Sequence, residues 1–153
     1  MQQNETIAPT YYNSVYRHGV DSKRRVQIPA MWRPAQEGVQ FTLILWPKHQ
    51  AGPCLRVLPP AEMAKLMRTL EGMANEDPNK DVLMRFIGSE SVQVALDKSG
   101  RICIPEEMAT AVEIKGEATL VGRLNQFEIW NSKRYEQVKS SDGVMAQQAF
   151  KLI

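Results

Sequence analysis

The chain has 153 residues, of which 43% are hydrophobic and 24% are charged, and these fractions exclude a wholly disordered or collagen-like protein. Its formal net charge of +2 is too small to indicate nucleic-acid binding by itself. No apolar run approaches the roughly 18 to 20 residues of a membrane-spanning helix, and the polar residues at positions 2–5 are unlike a secretory leader. We therefore expect a cytoplasmic protein with no membrane partner.

Alternating apolar residues and proline-rich turns predict the elements of the first half. Proline suits the first position of a helix, so two helices are expected to open on prolines. In chain order the elements are strands at residues 14–20 and 25–28, a helix from Pro29, strands at residues 41–45 and 55–58, and a helix opened by Pro59 and Pro60.

Two helices connect the halves of the chain. The first carries an apolar stripe at i, i+3, i+4 and i+7, which favours core packing over an adaptable partner-binding face. This stripe consists of Met63, Leu66, Met67 and Leu70. The second helix begins at Asp77-Pro78. Its apolar residues, which we expect to be buried, are Val82, Leu83, Phe86 and Ile87.

The second half repeats the order of the first. A strand with alternating apolar residues ends at Asp97, a Lys-Ser-Gly turn follows, and the alternation resumes over residues 101–104. The later elements are a short helix from Pro105, strands at residues 117–122 and 127–130, and a helix capped by Asn131 or Ser132. Each half therefore reads β-β-α-β-β-α.

An internal repeat underlies this order, because residues 21–29 match residues 97–105 at an offset of 76. Both copies hold an Asp-x-x-x-Arg turn, and both end in Ile-Pro. The match continues into the following strands, where the first copy has about five extra residues in the loop at residues 46–53.

Basic side chains recur in both turns. A single run of cations is commonly just solvated, but folding requires a turn in each copy and does not require cations there. Their recurrence favours contact with DNA phosphates and guanine edges. The candidate DNA-binding residues are Lys23, Arg24, Arg25, Lys98 and Arg101. Asp21 and Asp97 would be repelled by phosphate and are expected to shape the turns instead. Arg17 is a peripheral candidate.

The two turns, together with residues 96–105 and 120–130, resemble the MraZ family of regulators of the bacterial division and cell-wall gene cluster. The resemblance implies an α+β, β-rich fold in which two tandem AbrB-like swapped-hairpin modules form one pseudo-twofold β-barrel with short flanking helices. The implied divisions are modules at residues 12–74 and 90–139, a connecting helical segment at residues 75–89, and a C-terminal tail at residues 140–153.

The same resemblance implies two partners, and the chain departs from the family pattern at one position. The partners are double-stranded DNA at repeated promoter elements, which implies association with the nucleoid, and further copies of the chain in a ring. The family pattern places glycine where this chain has Arg24, whereas Gly100 keeps it. Because glycine there usually supplies a positive φ, either the first turn has changed type or Arg24 accepts strain.

Other function classes find little support in the residues. His18 and His49 fit no metal-ligand spacing, and no nucleophile motif or phosphate-binding glycine loop is present, so we expect no enzyme, cofactor or metal site. Cys54 and Cys103 form no Cys-x-x-Cys pair and are expected to be buried. The alternative function is an AbrB-like protein-binding module of the antitoxin or assembly type, and the apolar tail could dock on a neighbouring subunit or another partner.

Overall fold

A computed structural model describes residues 10–47 and 50–153. Residues 2–5 and His49 lie outside the described residues. The strands within the described part are β1 Val15–Gly19, β2 Arg25–Gln27, β3 Gln40–Trp46, β4 Cys54–Leu58, β5 Ser91–Ala95, β6 Arg101–Cys103, β7 Glu117–Gly122 and β8 Phe127–Trp130. The α-helices are α1 Pro60–Glu71, α2 Pro78–Ser89, α3 Glu106–Ala111 and α4 Ser132–Ala149. The protein is therefore of the α+β class.

The predicted order β-β-α-β-β-α is confirmed in the second half, but the helix expected from Pro29 is wrong. A short 3-10 helix, Ala30–Trp32, takes its place. Pro34 follows Arg33, and a residue before proline is disfavoured in the helical region. Arg33 accordingly adopts φ −78° and ψ 134°, so the chain leaves the helix after one turn.

Side-chain caps begin helices α2 and α4. The start of α2 at Asp77-Pro78 and the cap at Asn131 are as predicted. The Asp77 carboxylate accepts a bond from the backbone N–H of Asn79 at 2.9 Å, before α2. The Asn131 side chain accepts from the backbone N–H of Arg134 at 3.0 Å, before α4. Such bonds satisfy N–H groups that have no partner inside the helix. The segment from residue 140 onward continues α4 and ends in the 3-10 helix Phe150–Leu152.

All strand pairs in the described part of the chain are antiparallel and fall in two sheets, a six-stranded sheet in the order β1-β7-β8-β4-β3-β5 and a two-stranded sheet of β2 and β6. Most pairs join the two halves of the chain, since β1 pairs with β7 and β5 pairs with β3. The pairs β2 with β6 and β4 with β8 also cross between the halves. The halves are thus interleaved and share one core.

The main core contains aromatic side chains from both halves. Trp32 and Phe127 have ring centroids 4.9 Å apart, and Tyr12 packs edge-on against Trp32 at 5.9 Å. Val26 of β2 and Ile102 of β6 face each other in register and reach into this same cluster. Burial of these two side chains anchors the two-stranded sheet to the rest of the molecule.

The α1 and α2 helices cover a second cluster. Leu70 and Ile87 are buried there, and Met63 and Leu66 pack against it, which confirms core packing for these members of the methionine-containing stripe. The expected burial of Val82, Leu83 and Phe86 is wrong, because their side chains are 55%, 39% and 39% exposed. α2 approaches the cluster through Met84 and Ile87 and turns its other apolar residues outward. No helix in the described ranges is long and apolar enough to cross a membrane.

Candidate nucleic-acid interface

The first basic turn is organised by the carboxylate of Asp21. Its Oδ1 accepts backbone N–H bonds from Lys23 and Arg25, both at 2.9 Å. Its Oδ2 accepts from Nε of Arg25 at 2.7 Å. The backbone of Arg24 closes the turn by donating to the carbonyl of Asp21 at 2.9 Å, with φ at +61°. Arg24 is therefore the residue of this turn that adopts the left-handed backbone conformation.

The second turn repeats this geometry bond for bond. Oδ1 of Asp97 accepts from the backbone N–H groups of Ser99 and Arg101, both at 2.9 Å, and Oδ2 accepts from Nε of Arg101 at 3.0 Å. Gly100 donates its N–H to the carbonyl of Asp97 at 2.9 Å and has φ +77°. Both turns are therefore of one type, and Arg24 adopts the left-handed conformation that glycine provides in the second.

These bonds lower the pKa of each aspartate. For Asp21 the backbone N–H of Arg25 is the largest cause, and for Asp97 the backbone N–H of Arg101 is the largest cause. A carboxylate that accepts several N–H bonds is favoured in its charged form. Each aspartate thus holds its turn and orients the guanidinium four residues later. This confirms the prediction that the aspartates shape the turns.

The short antiparallel sheet of β2 and β6 brings the two turns together. Arg25 lies opposite Cys103, and Gln27 lies opposite Arg101. Since successive side chains of a strand point to opposite faces and the central pair is buried, these four side chains share the outer face. Nη1 of Arg101 lies 3.9 Å from Oδ2 of Asp21, the carboxylate of the other turn.

One side-chain hydrogen bond ties each turn to the opposite strand. Nε2 of Gln27 donates to the carbonyl of Ser99 at 2.7 Å. Sγ of Cys103 donates to the carbonyl of Lys23 at 3.3 Å. Because Gln27 and Cys103 are equivalent in the repeat, as are Lys23 and Ser99, the pair of bonds is symmetric. The outer face of β2 and β6 with its two turns is hereafter called the basic ribbon.

The structure places four of the five predicted residues on the basic ribbon. Lys23 and Lys98 lie within the turns, and the side chains of Arg25 and Arg101 are 34% and 30% exposed. Arg24 differs, since its Nε donates to the backbone carbonyl of Ile104 at 3.0 Å. The side chain of Arg24 is therefore turned towards the protein.

Arg17, the peripheral candidate, is occupied by acidic neighbours. Its Nε lies 3.0 Å from Oε1 of Glu117, and its Nη2 lies 3.3 Å from Oε1 of Glu136. These ion pairs belong to β1, β7 and α4, outside the basic ribbon. Arg17 therefore does not join the basic turns on one surface.

Gln27 lies on the basic ribbon although it is not among the predicted residues, and the predicted burial of Cys103 is wrong. Cys103 is exposed, contrary to its expected burial, whereas Cys54 is buried as expected, and burial raises the pKa of its thiol. Ile102 and Ile104 face the core on either side of Cys103, so alternation along the strand turns its side chain outward. The same alternation, applied to residues 25–27, is the signal that could have identified Gln27. Within residues 10–47 and 50–153 no cluster of His, Cys, Asp or Glu suited to a metal ion is found.

Comparison with known proteins gives consistent similarities. The family model described as "MraZ protein, putative antitoxin-like" matches residues 87–149. The Transcriptional regulator MraZ of Halothermothrix orenii is 34% identical over 120 residues, covering 78% of this chain and 80% of that protein. The proteins of the same name from Pediococcus pentosaceus and Rickettsia typhi are 32% and 31% identical, over 80% and 83% of this chain and 82% and 85% of their own lengths.

Proposed function

The chain belongs to the MraZ family of transcriptional regulators, and from this we propose that it is a sequence-specific DNA-binding regulator of the division and cell-wall gene cluster. It contacts repeated promoter elements of double-stranded DNA through the basic ribbon, on the nucleoid. The observation that carries the proposal is that the β2–β6 pairing sets both basic turns side by side on one face, with Arg101 3.9 Å from Asp21 of the other turn.

The geometry of the basic ribbon suits the major groove of DNA. That groove is about 12 Å wide and admits a two-stranded β-ribbon. Arg25 and Arg101 are held by their aspartates before DNA arrives, so little side-chain freedom is lost on binding. A guanidinium can bridge N7 and O6 of guanine, while Lys23 and Lys98 reach phosphates from the turns.

We include in the proposal the AbrB-type swapped-hairpin barrel, with modules at residues 12–74 and 90–139. Its support is the exchange of strands between the halves, in which β1 pairs with β7 and β5 pairs with β3. In such a barrel one chain presents two equivalent turns, as a dimer of single modules would.

Assembly into a ring is the second part of the proposal. It would explain how a chain with a small net charge binds DNA firmly. Several ribbons on one rim would engage repeated DNA elements together, and multivalency raises avidity by roughly 10² to 10⁴ without any additional kind of bond. The supporting observation is the number of exposed apolar side chains near the C-terminus and on α2. These side chains are Val82, Leu83, Phe86, Val144, Met145, Phe150 and Leu152.

The test is a gel shift on the protein's own upstream DNA, titrated with salt. Arg25→Ala and Arg101→Ala each remove a contact to guanine and should weaken binding by about 1 to 3 kcal/mol. Lys23→Ala removes a phosphate contact and should lower the slope of log affinity against log salt by about 0.9. Arg68→Ala is the matched control, because it removes the same charge from an exposed position of α1, outside the basic ribbon. Full binding by both arginine variants of the ribbon would refute the ribbon as the surface that binds DNA.

One observation favours the alternative of an AbrB-like protein-binding module, namely the exposed apolar side chains of α4 and the 3-10 helix after it, where Val144 is 76% and Phe150 is 68% exposed. If the wild-type protein does not shift its upstream DNA at low salt, the protein-binding alternative is favoured. Size-exclusion chromatography with light scattering tests the ring separately, and a clean monomer would contradict it.

A further inference from the structure

Two isoleucines contact the basic turns through their backbones, and the N–H and the carbonyl of each are both hydrogen-bonded. The N–H of Ile28 donates to the carbonyl of Gly100, and the N–H of Ile104 donates to the carbonyl of Arg24, both at 2.9 Å. Ile28 and Ile104 are equivalent in the repeat. Each therefore links the end of one strand to the left-handed residue of the opposite turn.

The carbonyl of each isoleucine accepts from a guanidinium, but the two guanidinium groups come from different places in the repeat. Nε of Arg33 donates to the carbonyl of Ile28 at 2.9 Å. Nε of Arg24 donates to the carbonyl of Ile104 at 3.0 Å. Arg33 follows its isoleucine in the same half, whereas Arg24 belongs to the turn of the other half.

The two turns have different residues at the left-handed position, Arg24 in the first and Gly100 in the second, and the neighbouring side chains differ accordingly. A Cβ atom at Gly100 would lie 2.4 Å from Cζ and 2.5 Å from Nε of Arg33, so any larger residue at position 100 would displace the guanidinium of Arg33. The residue equivalent to Arg33 in the second half is Ala109. Arg24 and Ala109 line one cavity of about 770 Å³, whereas Arg33 and Gly100 line one of about 320 Å³.

We propose that Arg24 with Ala109, and Gly100 with Arg33, are two interchangeable forms of one clamp that holds the turns of the basic ribbon in place. In each form one guanidinium lies beside one small residue beneath a turn and donates a hydrogen bond to the carbonyl of an isoleucine. Arg24 and Arg33 are then positioning residues, and Arg24 leaves the set of residues that bind DNA. The left-handed backbone of Arg24 is tolerated because its side chain makes this bond.

The clamp is tested by converting the second turn to the form of the first, with Arg33→Ala, Gly100→Arg and the double variant. Arg33→Ala loses a charge-assisted hydrogen bond and should lower the melting temperature by about 3 to 6 °C. Gly100→Arg should lower it by more, because the new side chain meets Arg33. In the double variant the new arginine occupies the vacated space, as Arg24 does in the first turn. The two single variants together give a summed loss in melting temperature. A double variant that loses less than half of this sum supports the clamp, and one that loses more overturns it.

Arg24→Gly gives a second test that does not depend on a larger side chain being accommodated. A glycine relieves the left-handed backbone, so a residue with no positioning role would give a higher melting temperature on replacement. The clamp predicts a fall of about 2 to 4 °C instead. Lys23→Ala is the control, since that side chain should affect DNA affinity without changing the melting temperature. A rise for Arg24→Gly overturns the proposal.

DNA binding supplies a further readout, and this readout alone rests on the proposed function. Fluorescence anisotropy on a labelled promoter duplex should show a loss of at least about tenfold for Gly100→Arg and recovery in the double variant with Arg33→Ala. Loss without recovery contradicts the clamp. If the wild-type protein does not bind DNA, the proposed function fails, and the melting temperatures still decide whether the clamp exists.

Discussion

Replacing Ile102 by alanine tests how the basic ribbon is attached to the core. The side chain is 1% exposed, and Ile102 lies opposite Val26 in a sheet of only three residue pairs. Ile102→Ala removes three carbon atoms, each contributing about 0.8 kcal/mol of transfer free energy. With the cavity left behind, the loss in the free energy of unfolding should be about 3 to 4 kcal/mol. Ile102→Val should lose only about 1 kcal/mol.

The adjacent residue supplies a matched control for this prediction. Cys103 lies on the same strand with its side chain on the outer face. Cys103→Ala removes only the weak S–H bond to the carbonyl of Lys23, so it should change the free energy of unfolding by no more than about 0.5 kcal/mol. Urea denaturation followed by circular dichroism measures all three variants, and the slope against urea concentration shows whether the denatured state has changed. A loss below about 1 kcal/mol for Ile102→Ala, or an equal loss for Cys103→Ala, would refute the attachment described.

Three further predictions concern other parts of the molecule. A thiol reagent should label Cys103 in the native protein, and Cys54 only after unfolding, because burial excludes the reagent and raises the pKa of Cys54; equal labelling rates would contradict this. Backbone N–H bonds hold the pKa of Asp97 below its usual value. The stability that Asp97 contributes to the fold is therefore complete above the unfolded-state pKa of about 3.9 and is lost as the pH falls through the folded-state pKa. Urea denaturation of Asp97→Asn should show a flatter pH dependence of the free energy of unfolding below about pH 4. A Cβ atom at Gly122 would lie 2.3 Å from a backbone oxygen of the N-terminal segment, so Gly122→Ala should lower the free energy of unfolding by about 1 to 3 kcal/mol. Gly88→Ala in α2, where a Cβ meets nothing within 4 Å, is its control and should be neutral or stabilising.

The sequence is sufficient for elements whose signals are local. The strands Glu117–Gly122 and Phe127–Trp130 have the predicted bounds, because alternation and short turns are properties of neighbouring residues. The caps at Asp77 and Asn131 likewise depend on a side chain and an N–H two or three residues away. The 3-10 helix after Pro29 differs because the later proline outweighs the helix-opening one.

Packing between distant segments sets the limit of prediction. The exposed apolar side chains of α2 cannot be recognised from their helical spacing, since spacing does not say how much of a helix its neighbours cover. Cross-half strand pairing enters only through the family resemblance, because periodicity identifies strands and not their partners.

The candidate site divides in the same way. Asp21 and Asp97 act within their own turns, and their structural role can be inferred from the motif alone. The orientation of Arg24 depends on Ile104, 80 residues away, and the space open to a side chain at position 100 depends on Arg33. Neither interaction has a signal in the local sequence, which is why the sequence alone groups Arg24 with its neighbours Lys23 and Arg25.

The interleaved strand pairing has a consequence for synthesis on the ribosome. When the first half has emerged, its β3–β4 hairpin can form, but β1, β2 and β4 still lack the partner strands β7, β6 and β8. The open backbone edges of these strands remain without their native partners until residues 101–130 leave the exit tunnel. Because unpaired strand edges promote aggregation, we expect the nascent first half to depend on protection by chaperones, and folding to be completed only when the second half is synthesised.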